Sequence, residues 1–224
     1  MMSHVLKPLK RCLAPFFVIL FYMKKNISAM TTEKFFELMR GRNARNAAAL
    51  DARINKACGA ELTVVSCDSA GFSRKTQEHG IIEFMDNMVK CHIALEKIVA
   101  RYGGTTLSNK ADNLLLIFGE PVKAVACSID MHRWLKKRNK GLPAQKQYNI
   151  CVGVHHGGLL RFADDAYGPA VNVAFKLGED IAGKDDLLVT GQVNEVIKKK
   201  FRTDYSKHVT LGGASFDVYR VKYR

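Results

Sequence analysis

The sequence lacks any close pairing of cysteines. Its six cysteines, Cys12, Cys58, Cys67, Cys91, Cys127 and Cys151, are scattered through apolar stretches with no C-x-x-C pair and no compact spacing. That pattern argues against a disulfide framework and against a zinc site, and it implies a reducing compartment. Internal repeats and low-complexity segments are also missing, which excludes solenoid, fibrous and disordered classes. The one long apolar run, CLAPFFVILFYM from Cys12 to Met23, is shorter than the roughly 20 residues that a membrane span needs. It is flanked by Lys7, Lys10 and Arg11 before and by Lys24 and Lys25 after, and no small-residue cleavage site follows it cleanly. Residues 1–29 are therefore read as a targeting segment, a weak anchor or an upstream extension, with Met30 as an alternative start. No regulatory domain is visible.

Acids are the scarce charge. There are 21 Asp and Glu against 35 Lys and Arg, a formal net charge of +14, and the first sixty residues hold 11 of the cations against Glu33, Glu37 and Asp51. A segment this basic suits an acidic protein or an anionic membrane surface, and it equally suits a solvated helix face. With 47% hydrophobic residues over 224 positions, the rest of the chain is sufficient for one well-cored domain.

Past Met30 the pattern predicts one or two basic helices over 32–57, where proline is absent, and a strand ELTVVSCD ending in Asp68. A helix over IIEFMDNMVKCHIALEKIVAR stops at a glycine pair. TTLS and NLLLIFG then give two strands separated by a turn that holds Asp112, and PVKAVACSIDMHRWLKKRNK is a second helix with a basic last turn. QYNICVGVHHGGLLRF reads as a strand, a turn at its two glycines and another strand. The loop ADDAYG, a helix at PAVNVAFKLGEDIAG, the strand DLLVT, a helix at GQVNEVIKKKF and a closing hairpin through TLGGASFDVYRV follow. Paired rather than strictly alternating strands point to an α+β sheet of the ferredoxin-like kind, with a domain over 60–224 behind a helical segment at 30–59.

Asp68 and Asp112 each stand at the end of an apolar strand, and if those strands are neighbours their carboxylates converge. Two convergent carboxylates with no basic partner in the motif offer the hard oxygen ligands that magnesium or manganese takes together with phosphate oxygens.

Five motifs, in order over about 60–222, make the sequence resemble the catalytic domain of class III adenylyl and guanylyl cyclases. CDSAGFS is similar to the first metal-aspartate motif, GGTTLSNKADNLLLIF to the hairpin with the second, and ICVGVHHGGLL to the strand that follows. DDAYGPAVNVAFKL resembles the substrate loop and helix, and FDVYRV the final strand. The resemblance implies a mixed sheet with flanking helices and a site shared across a dimer, homomeric or with a second cyclase-like chain. There Asp68 and Asp112 would hold two Mg2+ or Mn2+ ions, one acidifying the ribose 3′-hydroxyl and one gripping the β- and γ-phosphates. The 3′-oxygen attacks the α-phosphorus and pyrophosphate leaves. Ser69, Gly71 and Phe72 would offer their turn to the phosphates, Asn172 would orient the ribose, and Asp165 would accept from the adenine amino group, with Asp164 the competing register. A carboxylate there suits ATP better than GTP.

The departures are equally specific. Ser108 stands where the base-recognising lysine is expected, with Lys110 nearby, and Lys176 replaces an arginine, keeping its charge but losing the planar fork. TLGGAS has Gly212, Gly213 and Ala214 where a phosphate-contacting lysine often lies, and Arg161 could offer compensating charge. Two readings therefore stay open: an adenylyl cyclase acting in the cytoplasm, tethered or free, or a degenerate cyclase-homology module serving a larger assembly. Nucleic acid is not an expected partner, because the strands lack the stacking aromatics of an RNA-binding sheet. His155 and His156, Cys67, Trp134 and Tyr167 are read as structural.

Overall fold

The structure, a computed structural model, describes residues 30–211 and 214–223. The expectations for residues 1–29 and for Gly212 and Gly213 lie outside the described residues. Among the described residues, eight strands form one mixed sheet, and seven α-helices include members packed against both of its faces.

The chain enters through α1 (Thr32–Arg40) and α2 (Ala47–Cys58). It then runs into β1 (Gly59–Ser69), α3 (Phe72–His79), α4 (Ile81–Arg101), β2 (Thr105–Lys110), β3 (Asn113–Phe118) and α5 (Pro121–Asn139). β4 (Ile150–Arg161), β5 (Ala166–Tyr167), α6 (Pro169–Phe175), β6 (Leu187–Thr190), α7 (Gly191–Ile197), β7 (Thr203–Leu211) and β8 (Ala214–Val221) complete it. The sheet order is β2-β3-β1-β4-β6-β8-β7, with β5 paired to β4. Its first four strands have the ferredoxin-like order expected from the sequence. β6 joins β4 in parallel and β8 joins β6 antiparallel, which makes the sheet mixed.

Strand alternation sorts the core into two layers. Val65, Cys67, Leu114, Leu116, Val152 and Val154 point into a large cluster with α4, α5 and α7. Val64 and Leu115, one residue out of phase, pack on the other face against Ala170, Val171 and Ala174 of α6. Pro121 opens α5 at a position where a missing N–H costs nothing. Among the described residues no helix is long and apolar enough to cross a membrane.

One expectation is corrected, and one helix is added. The glycine pair in VHHGGLL does not turn the chain. β4 is one strand of 12 residues, and Gly157 and Gly158 pair with Leu62 and Glu61 of β1. The 11-residue β1 pairs with β4 along its whole length and holds the two glycines extended, which overrides the local turn signal. The polar stretch FSRKTQEH, to which the sequence pattern assigned no element, forms α3 after Gly71, whose φ of +79° reverses the chain. The helix after Gly168 also changes character, because from Lys176 to Ile181 it opens into a π turn.

That π turn lies against the sheet through two glycines. A Cβ on Gly153 would fall 2.4 Å from both the Ala174 carbonyl oxygen and the Gly178 nitrogen, and both are backbone atoms that cannot rotate away. Gly153→Ala should therefore lose about 2 kcal/mol or more in urea unfolding, at the upper part of the overpacking range. Gly158→Ala, with no heavy atom within 4 Å of its new Cβ, should unfold within about 0.5 kcal/mol of the parent.

Candidate active site

β1 lies between β3 and β4, and its ladder to β3 ends at Cys67 opposite Leu114. One step beyond that pair, Asp68 and Ser69 stand beside the β2–β3 turn that holds Asp112. The Ser69 hydroxyl donates to Asp112 Oδ2 at 2.6 Å, with Ser69 and Asp112 both buried. Ala111, at φ +52°, tightens the turn. The Asp68 carboxyl is pushed up to about 7, first by burial and then by Asp112 and Glu179. Among the described residues neither Asp68 nor Asp112 pairs with a lysine or arginine, so the negative charge gathered here is uncompensated.

Sequence reasoning missed Glu179. It sits in the π turn after α6, accepts from Asn113 Nδ2 at 3.0 Å, and is itself held above the ordinary glutamate range by burial, Asp180 and Asp112. Nothing in its sequence neighbourhood marks it, since only the seating of the π turn on β1 brings it close. Among the described residues no group of three or more His, Cys, Asp or Glu side chains has the arrangement of a complete metal site. The donors present are hard carboxylate oxygens without a cation. That set fits Mg2+ or Mn2+, which keep waters and take further oxygens from a phosphate substrate.

The turn after Asp68 is fixed from the far side, where Ala70 N donates to the Asn149 carbonyl at 2.9 Å. Gly71 then starts α3 with no side chain capping it. The first-turn amides from Phe72 onward are thus unclaimed by any capping group, which suits a phosphate. Lys75, also missed, is buried and donates to the Gln147 carbonyl.

The two adjacent acids of the ADDAYG loop have separate partners. Asp164 accepts from the Thr32 amide at 2.9 Å and the Thr32 hydroxyl at 2.6 Å, and these bonds hold it below the usual aspartate range. It is occupied at the start of α1. Asp165 turns the other way, is nearly buried, and pairs with the Lys110 ammonium at 2.7 Å while its other oxygen accepts from Ala166 N. Lys110 lies two residues beyond Ser108 on β2 and therefore on the same strand face, past the irregularity at Thr106 to Ser108.

Asn172 is exposed on α6, and its amide makes no side-chain hydrogen bond among the described residues. Lys176 pairs with Asp180 one turn on. Arg161 ends β4 opposite Ala166, half-buried, with its guanidinium lowered by that burial. Among the described residues no hydrogen bond or ion pair joins Asn172 or Lys176 to Asp68 or Asp112.

The residues read as structural have structural partners. His155 Nδ1 meets Thr190 Oγ1 at 2.9 Å and His156 Nδ1 meets Thr63 Oγ1 at 2.9 Å, so the two rings serve different neighbouring strands. Trp134 packs on the main core, and the Cys67 thiol is raised well above its ordinary value by burial. Tyr167 packs edge-on to both Phe36 and Phe162.

No family model matches the sequence. A curated relative, "Putative adenylate cyclase 3" of Rhizobium meliloti, is 24% identical over 142 residues, covering 63% of this chain and 24% of that protein. A second, "Serine/threonine-protein kinase pkn2" of Myxococcus xanthus, is 29% identical over 136 residues, covering 59% and 16%. The chain thus spans a quarter or less of the length of these curated relatives. Among solved structures, the adenylyl cyclase CyaB from P. aeruginosa superposes with a TM-score of 0.64 at 22% identity, over 73% of this chain and 94% of that one. The catalytic core of a rhodopsin-guanylyl cyclase with converted specificity, in complex with ATPαS, gives 0.64 at 19%, over 73% and 98%. The fold is that of the class III nucleotidyl cyclase catalytic domain.

Two measurements check this site. Thr32→Val removes one of the two bonds holding Asp164, so amide exchange across Phe162 to Ala166 should quicken roughly three- to tenfold, read by hydrogen–deuterium exchange. His155 is depressed to about 4, by burial first and His156 second. The unfolded chain therefore binds more protons between about pH 6.5 and pH 4. Stability should be full above that window and fall as the pH drops through it, and His155→Gln should flatten the slope in urea titrations.

Proposed function

We propose that this chain is an adenylyl cyclase subunit converting ATP to cyclic AMP and pyrophosphate. The observation that carries the reading is the junction of Asp68 and Asp112, sealed by Ser69 and left without a cation. Packing alone does not require two acids there, and burying unpaired carboxylates is costly without a counter-charge. Asp68 and Asp112 would hold two divalent ions, with Glu179 facing them. When bound, these ions supply charge neutralisation for the phosphates and acidify the attacking hydroxyl.

The chain's own residues perform the remaining work. The Ser69–Phe72 turn and the start of α3 present amides to the phosphates. Asp165, with Lys110 against it, sets an acceptor beside a donor, the pair that adenine's N6 amino group and N1 require. This makes Lys110 the functional replacement for the lysine missing at Ser108. Asn172, exposed and unengaged, is available to a ribose across an interface, so two copies, or this chain and a second cyclase-like chain, complete each site. The 3′-oxygen attacks the α-phosphorus, its proton passes to solvent, and pyrophosphate departs.

A second reading, a cyclase-fold module without turnover, is favoured by one observation. Lys176, where an arginine fork is expected, is already paired with Asp180. That pair is about half exposed, and such pairs contribute roughly 0–1 kcal/mol, so it yields readily to a phosphate.

Purified chain with manganese and ATP should release cyclic AMP, with less product from GTP, and Asp112→Asn should lower the rate roughly a hundredfold or more. Silence with both nucleotides at high protein concentration would assign the second reading.

A further inference from the structure

Between Met131 and Asn149 the sequence holds six cations, Arg133, Lys136, Lys137, Arg138, Lys140 and Lys146, and no carboxylate. The fold gathers most of them around a cavity of about 600 Å³ at the far end of α5, to which the β6 approach loop adds Lys184. Helix-dipole compensation accounts for Lys136 and Lys137 in the last turn of α5, but not for Lys140 beyond its end or Lys184 on another segment. Arg133 reaches Asp130 at 3.7 Å, whereas Lys136, Lys137, Lys140 and Lys184 pair with no carboxylate among the described residues. The single acid lining the cavity, Asp185, already accepts from Asn149 Nδ2 at 2.9 Å.

The positive field extends beyond the rim. Lys75, buried nearby, is held below the usual lysine range by burial and then by the crowding of Lys184, Arg74 and Arg138. Like charges concentrated this way repel one another and destabilise the fold unless an anion joins them. The inner wall is polar as well. Asn139 and Asn149 are buried there, with Asn139 bonded to both the amide and the carbonyl of Tyr148.

We propose that this cavity is a binding site for a polyphosphorylated anion, separate from the Asp68–Asp112 site. Four unpaired ammonium groups from two segments match a ligand bearing several phosphates better than a single carboxylate, and the volume suits a small molecule or a lipid headgroup. The site also has a route to the rest of the molecule. The Asn149 carbonyl on its inner side accepts from Ala70 in the turn after Asp68, so an occupant is one hydrogen bond from that turn.

The experiment is calorimetric titration of the full chain with tripolyphosphate in EDTA, which suppresses any metal-dependent binding elsewhere. The chain should bind, K136Q/K137Q/K140Q should weaken binding at least tenfold, and K184Q, from a different segment, should weaken it several-fold. R45Q/R53Q, which removes two cations from the N-terminal helices, should change it less than twofold. All these side chains are exposed, and circular dichroism should confirm unchanged folding. A parallel sedimentation assay with phosphatidylcholine vesicles doped with a phosphoinositide separates the sources. Pelleting that the triple variant abolishes assigns a lipid headgroup, and tripolyphosphate binding without pelleting assigns a soluble ligand. Absence of tripolyphosphate binding, unaltered affinity in the triple variant, or equal losses in R45Q/R53Q would overturn the proposal, the last by reducing it to diffuse charge.

Discussion

The whole arrangement depends on β1 being hydrogen-bonded on both edges. β4 pairs with it along its whole length on one side, and β3 pairs with Thr63 to Cys67 on the other. The ladder to β3 determines that the β2–β3 turn arrives beside the end of β1, which places Asp112 within hydrogen-bond distance of Ser69. The ladder to β4 determines that Asn149 lies behind the following turn and takes the Ala70 amide. A one-residue slip in either register would reverse which side chains enter the core and would separate the two acids. The apolar alternation that buries Val64 on one face and Val65 on the other is therefore also what locates the charge.

Much of this was legible in the chain. NLLLIF can only be a core strand, and an acid at its mouth is conspicuous against five apolar residues. TVVSCD has the same form, so the convergence of Asp68 and Asp112 required only that the strands be neighbours. The helices of the core layer carry apolar faces at helical spacing and clear stops, and they fell where the pattern placed them. The failures share one physical cause, which is that the deciding partner is distant in sequence. Gly157 and Gly158 are turn residues by local preference, yet β1 holds them extended. FSRKTQEH has no apolar stripe, and its helix depends on the reversal at Gly71. Glu179 and Lys75 look like ordinary surface charges until the π turn seats on β1 and the Gln147 carbonyl comes within reach of the ammonium.

The loop from Phe162 to Tyr167 shows how tertiary contacts give two adjacent acids different partners. Asp164 and Asp165 are adjacent acids with the same chemistry. α1 claims the first through Thr32, and its Phe35 ring, 4.9 Å from that of Phe162, fastens the same loop from the apolar side. Only the second is then directed at Lys110. The basic N-terminal helices are thus joined to the loop that carries Asp165, and any partner that draws on α1 acts on that loop through two hydrogen bonds and an aromatic contact.

The distribution of cations completes the argument. The chain carries a large excess of positive charge, yet the acids at the candidate site have none of it, and the two lysines nearest in role are committed to internal acids, Lys110 to Asp165 and Lys176 to Asp180. A triphosphate entering such a site meets amides and exchangeable ion pairs rather than free guanidinium groups. Divalent ions would then have to supply most of the neutralisation, and the rate would depend steeply on them. Four unpaired lysines, Lys136, Lys137, Lys140 and Lys184, lie instead around the α5 cavity, on the opposite side of the Ala70–Asn149 hydrogen bond. Positive charge is sparse beside Asp68 and Asp112 and dense around the cavity, where these four lysines pair with no carboxylate among the described residues. Like charges gathered in this way repel one another, so the α5 cavity is the part of the surface where a bound anion would relieve most repulsion.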